Sequence, residues 1–142
     1  MIESMPQEFS AGAVIYRIDG GRKLLLILQY EKTHWDFVKG HIEKGEEVKQ
    51  TIVRECKEET GINDLEFVPR FKDKIEYFFK KEGKTVHKEV TFLLAKTKTK
   101  EVTLSFEHIG FEWLAYEKAL ERLTFDNAKG ILMKANTIIK NI

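Results

Sequence analysis

Residues 40–62 read GHIEKGEEVKQTIVRECKEETGI. Glu47 to Thr60 contains neither Gly nor Pro, and Gly61 stands just past its end, where a left-handed residue terminates a helix. The pattern predicts a helix over 47–60. At about 100° per residue, Glu55, Glu58 and Glu59 fall within an arc of roughly 100° on one side of it.

That helix breaks the local rules for a surface helix. Glu55 and Glu59 carry like charge at a four-residue spacing, which destabilises a helix by about 0.2–0.5 kcal/mol. Glu58 and Glu59 also sit in the last turn, where the helix dipole favours cations. Arg54 precedes Glu58 by four residues, but that basic-then-acidic order is the weaker orientation, so excess negative charge remains. A hard divalent cation converts such repulsion into shared coordination. Mg²⁺ accepts one or two carboxylates, keeps waters and takes phosphate oxygens as further ligands, which suits phosphoryl or nucleotidyl chemistry. In the preceding loop, Lys39 can meet phosphate oxygens, and Gly40 permits a close backbone approach.

Outward from this stretch, FSAGAVIYRI (9–18) and KLLLILQY (23–30), separated by Asp19-Gly20-Gly21, predict an opening hairpin. THWDFVKGHIEKGEE (33–47) has no regular period and predicts a structured loop with one short strand. LEFVPRF and KIEYFFKK are extended segments, and EGKT turns the chain into the strand VHKEVTFLLAKT, a second hairpin. FEWLAY predicts a short strand, followed by the helical stretches YEKALERL and FDNAKGILMKANTIIK. In the last, Ala128, Ile131, Leu132, Ala135, Ile138 and Ile139 form an apolar stripe that docks on a sheet. The expected architecture is α/β, a mixed sheet covered by helices on both faces, in one domain over residues 1–142.

Composition narrows the function classes. The 142 residues carry 24 Lys and Arg against 23 Asp and Glu, a net charge of +1, so no broad cationic field exists for nonspecific nucleic-acid or membrane binding. The longest aliphatic run, Leu24 to Leu28, is far below the roughly 20 residues that span a bilayer, and MIESMPQEFS has no basic segment leading into an apolar one. The single cysteine, Cys56, fits a reducing cytoplasm and is expected to pack rather than react. None of the four histidines has zinc-motif spacing.

The stretch 40–62 resembles the signature of Nudix hydrolases: Gly, five residues, Glu, seven residues, Arg-Glu, an aliphatic position, one residue, Glu-Glu, one residue, Gly, aliphatic. Gly40, Glu46, Arg54, Glu55, Glu58, Glu59 and Gly61 match, and Cys56 at the first aliphatic position departs from it. Seven such matches arise by chance about once in 10⁸ windows at roughly 7% frequency per residue type. The resemblance implies a Nudix-type α/β/α sandwich and divalent-metal hydrolysis of a nucleoside diphosphate linked to another group. It implies Glu55 and Glu59 as metal ligands, Glu58 as a ligand or the base that prepares water, and Gly40 as a carbonyl ligand. Glu46 and Arg54 then hold the loop against the helix and orient Glu55.

HWDFVKGHIEKGEE, KTVHKEVTFLLA and SFEHIGFEWLAYEKALERLTFDNAK together resemble asymmetrical diadenosine tetraphosphate hydrolases. This implies water attack on the phosphate bridge, releasing ATP and AMP, with Mg²⁺ or Mn²⁺ as cofactor. Glu107 lies where that family has a further metal-binding or base residue, with Glu112 a nearby competitor. His34, Lys39 and Lys84 are expected on the polyphosphate, with His41 and His87 as lesser candidates, and Tyr77 with Phe111 as the pair that stacks on adenine. The runners-up are removal of pyrophosphate from RNA 5′ ends, (d)NTP pyrophosphatase activity, and, in a different class, a noncatalytic nucleotide-binding sensor. The expected partner is thus a nucleotide, with nucleic acid only as an RNA 5′ end.

Overall fold

A computed structural model describes residues 5–142. Strand β1 (Gln7–Asp19) turns through Gly20 and Gly21, both at positive φ (55° and 83°), into β2 (Arg22–Glu31). The two strands pair only where Tyr16–Asp19 meets Arg22–Leu25, and then diverge. Two short strands, β3 (His34–Asp36) and β4 (Val38–His41), fill the wedge between them. β3 pairs with the far end of β2, and β4 pairs with Ser10–Ala13 of β1. The loop read from sequence as holding one short strand thus holds two.

Helix α1 spans Val48–Thr60. Gln50 Oε1 accepts the Glu47 backbone N–H at 2.7 Å, and Gly61 ends the helix at φ 77°. The segments 65–71 and 74–81, expected as two extended pieces, form one strand, β5 (Glu66–Lys81), whose register slips between Phe67 and Lys72. Pro69 has no N–H for the ladder, so the irregularity falls where pairing is already broken. β6 (Lys84–Lys96) pairs antiparallel with β5 and parallel with β1, which makes the sheet mixed. β7 (Gly110–Leu114) adds to β2, and α2 (Tyr116–Arg122) and α3 (Asp126–Ile139) complete the chain. Sheet order is β3-β2-β1-β6-β5, with β4 on β1 and β7 on β2.

Strict alternation along the central strands builds two cores. Val14, Tyr16, Leu25, Ile27, Val90, Phe92 and Leu94 pack under α2 and α3, against Ala119, Leu132 and Ala135. Ala11, Ala13, Ile15, Leu26 and Leu28 face the other way, onto Ile52 and Cys56 of α1. The small residues Ala11 and Ala13 let α1 lie close to β1. Truncating Ile52, which is fully buried there, would cost about 2–5 kcal/mol. This is the α/β/α layering expected from the sequence. Among the described residues no helix is long and apolar enough to cross a membrane.

Candidate functional site

On the α1 face, the acidic residues separate by environment. Glu55 reaches across to β4, where Gly40 leaves room for it: a Cβ at residue 40 would stand 2.2 Å from the Glu55 carboxyl carbon. Glu59, one turn later, is buried, with its side chain 6% exposed. Glu58 lies outside, 60% exposed and 3.5 Å from Arg54. Burial, and then the adjacent Glu55 carboxyl, raise the Glu59 pKa far above the usual carboxylate range; Glu107 and Glu58 add to the shift. The repulsion inferred from sequence is therefore concentrated on Glu59.

Arg54 organises the loop before the helix. Its Nε donates to Glu46 Oε2 at 2.7 Å, Nη2 donates to Glu46 Oε1 and the His41 carbonyl at 3.0 Å each, and Nη1 donates to Glu55 Oε1 at 2.6 Å. Glu46 also accepts from Thr51 Oγ1 at 2.8 Å and from the Glu43 backbone N–H at 2.9 Å. The guanidinium fork thereby ties loop, β4 and Glu55 into one unit.

The segment after β6 runs past the end of α1 without forming a strand. Thr103 N donates to Thr60 O at 2.9 Å, and Ser105 N donates to Glu59 O at 3.1 Å. This delivers Glu107, which is exposed, and His108, which is buried, to the acidic end of the helix. His108 Nε2 lies 2.5 Å from Glu59 Oε1. Glu112, the competitor to Glu107, is instead engaged by Arg122.

A cavity of about 500 Å³ opens on the opposite face, beneath α3. His34, Tyr77, Phe79 and Phe125 supply its aromatic walls, and Lys39, Lys88 and Asp36 its charge. Lys39 Nζ pairs with Asp36 Oδ2 at 2.9 Å. Burial opposes ionisation of Asp36, but the His34 ring and the Lys39 ammonium outweigh it and hold the carboxyl below its usual value. Burial, and then the like charge of Lys39, lower the Lys88 pKa; with two lysines against one aspartate, the lining of the cavity is basic.

Strand β4 joins the two faces. The Lys39 side chain enters the cavity, while Gly40 meets Glu55 on the other side. Tyr30 forms a second link, its ring stacked on His34 at 4.9 Å and edge-on to His108 at 4.4 Å.

Of the residues expected to contact substrate, His34, Lys39 and Tyr77 line this cavity. Phe111, expected to stack with Tyr77, does not share a face with it. It is registered opposite Leu28, whose side chain belongs to the α1 layer, whereas Tyr77 packs with the α3 layer. Lys84 is exposed at the start of β6, opposite Lys81 near the hairpin tip, and does not line the cavity. His41 is exposed at the end of β4, and His87 lies 3.6 Å from Glu76. The sequence reading missed Lys88, Phe125 and His108. For Lys88 a signal existed: it interrupts the inward frame Val86, Val90, Phe92, Leu94 with a charge.

Among the described residues, no three His, Cys, Asp or Glu side chains already converge to hold an ion. Glu55 and Glu59 are the pair that meet, and Glu59 Oε2 is buried without a partner. Two carboxylates and one orphaned oxygen, approached by a side-chain-free backbone at Gly40, fit a cation that takes its remaining ligands from water and phosphate.

Residues 7–134 match the NUDIX domain family, and the chain belongs to it. It is a Nudix hydrolase, of a family that generally needs divalent metal ions and acts on small nucleotide substrates. Among its relatives, the asymmetrical bis(5′-nucleosyl)-tetraphosphatase of Caenorhabditis elegans is 32% identical over 133 residues, covering 92% of this chain and 95% of that protein. The Mus musculus enzyme of the same name is 30% identical over 142 residues, covering 92% and 94%. The crystal structure of a C. elegans Ap4A hydrolase binary complex superposes with a TM-score of 0.82 at 31% identity, covering 95% of this chain and 99% of that one.

Proposed function

We propose that this Nudix pyrophosphohydrolase cleaves dinucleoside polyphosphates, converting diadenosine tetraphosphate and one water to ATP and AMP, with Mg²⁺ or Mn²⁺ as its ion. The supporting observation is the continuity of two unlike sites through β4: an aromatic, basic cavity beside Lys39 and a crowded acidic end of α1 beside Gly40. A nucleobase needs the first and a polyphosphate needs both. The names of the relatives agree with this reading.

Tyr77 and Phe125 offer flat apolar faces to a base, and Lys39 and Lys88 neutralise phosphate charge as it enters. Glu55, Glu59 and the Gly40 carbonyl are the groups that would hold the ion, with Glu58 or Glu107 completing the set. A bound divalent ion supplies charge neutralisation and Lewis-acid activation. Whichever of Glu58 and Glu107 is not engaged as a ligand accepts the proton of the attacking water. Arg54 keeps Glu55 turned toward Gly40 during this.

Product analysis tests the proposal. Diadenosine tetraphosphate with Mg²⁺ should yield equimolar ATP and AMP, faster than the same enzyme consumes ATP, dATP or 5′-triphosphorylated RNA. Two ADP, or negligible turnover beside rapid RNA or triphosphate hydrolysis, would overturn it.

A further inference from the structure

A buried carboxylate serving packing alone has both oxygens satisfied. Glu59 does not. Oε1 is held by His108 Nε2 at 2.5 Å, while Oε2 is buried and has no hydrogen-bond partner. The two side chains are 1% and 6% exposed, so neither moves freely. The same loop also grips the Glu59 backbone, since Ser105 N donates to Glu59 O at 3.1 Å and His108 N closes back on Ser105 O at 3.2 Å. The ring of Tyr30, edge-on at 4.4 Å, fixes the imidazole plane.

We infer that His108 is a positioning residue: it occupies Oε1 of Glu59 so that Oε2 alone is presented to a divalent cation, as a single-oxygen ligand. This deepens the proposed function and rests on its assignment of Glu59 as a ligand. When Glu59 holds a cation its carboxyl is ionised and only accepts hydrogen bonds, so the imidazole then carries its proton on Nε2. Hydrogen-bonded partners of ligating groups set ligand orientation and basicity, and their loss typically weakens metal affinity 10–100-fold. Besides His108, the side chain that meets Glu59 is the Glu55 carboxyl, which as a carboxylate has no proton to donate to Oε1 when His108 is removed.

The test is Mn²⁺ titration of the full chain followed by the free-ion EPR signal, comparing wild type with Glu59→Gln, His108→Gln and His108→Met. Gln and Met match in length and volume, but only Gln donates. Weakening by about 10–100-fold in His108→Met, with His108→Gln within about 3-fold of wild type, is the expected result. Equal affinities in both His108 variants, whether equally lost or equally kept, would overturn the inference while a defect in Glu59→Gln leaves the metal site standing. Wild type and Glu59→Gln binding Mn²⁺ alike would overturn both. ¹⁵N spectra of the wild-type imidazole, which need no variant, should show the Nε2–H form with Mg²⁺ present; the Nδ1–H form would contradict the inference.

Discussion

Glu55 fills the space that Gly40 leaves: a Cβ on residue 40 would lie 2.2 Å from the Glu55 carboxyl carbon and 2.4 Å from Oε2. The clash falls on the far end of a flexible side chain rather than on backbone. Gly40→Ala should therefore push the Glu55 carboxylate aside without unfolding the chain. The expected result is a kcat about 10²-fold lower, because displacement of about 1 Å suffices for that, with Tm changed by less than about 4 °C. Steady-state kinetics beside a thermal melt check it; unchanged kcat would show that the Glu55 position is immaterial.

Arg54 is irreplaceable by Lys if its fork matters, since one ammonium cannot serve Glu46, His41 and Glu55 together. Arg54→Lys should lower kcat about 10–100-fold with a near-normal melt. An Arg54→Lys rate within 2- or 3-fold of wild type would mean that a single charge is enough.

Stability at low pH should follow Glu46. The Arg54 N–H bond, and then the Glu43 backbone N–H, lower its pKa to about 2 from an ordinary 4.5. The folded chain binds that proton less readily than the unfolded chain, so the contribution is complete above about pH 4.5 and is lost as pH falls toward 2. Urea midpoints measured across this window should fall less steeply in Glu46→Gln than in wild type. Parallel curves would contradict the pairing.

Tyr77 and Phe125 share the cavity, and Phe111 lies on the other face. Tyr77→Ala and Phe125→Ala should each raise KM for diadenosine tetraphosphate by about 5- to 150-fold, the 1–3 kcal/mol of an aromatic stack, with kcat little changed. Phe111→Ala should leave KM within about 2-fold. A KM defect in Phe111→Ala alone would mean that the base binds on the α1 side.

Cys56 is fully buried and its thiol is raised to about 11 by burial. Iodoacetamide at about pH 8 should leave it unmodified in the folded chain and label it in urea. Rapid native labelling with loss of activity would contradict a packing role.

The acidic cluster on α1 was legible in the sequence because helix periodicity is rigid: positions 55, 58 and 59 cannot avoid sharing a side, and Gly61 can hardly do other than end the turn. The covering of the sheet by helices on both faces was legible from the order of the elements, strands followed by a central helix, more strands and terminal helices. Pairings across the sheet were not. Whether Phe111 meets Tyr77 depends on its register against Leu28, which no local pattern encodes. Phe125, just ahead of α3, and His108, in a loop without period, reach their places through long-range contacts with His34, Tyr30 and Glu59. Lys88 carries a local signal, a charge in the inward apolar frame of β6, but a single charge in a strand does not by itself say what it faces.

A crystal structure of the chain with Mg²⁺ and a nonhydrolysable dinucleotide analogue tests the central claim most directly. It should place an ion about 2.0–2.1 Å from oxygens of Glu55 and Glu59, a base between Tyr77 and Phe125, and phosphates passing Lys39 between them. An ion bound elsewhere, with the Glu55 and Glu59 carboxylates facing bulk solvent, would contradict the account.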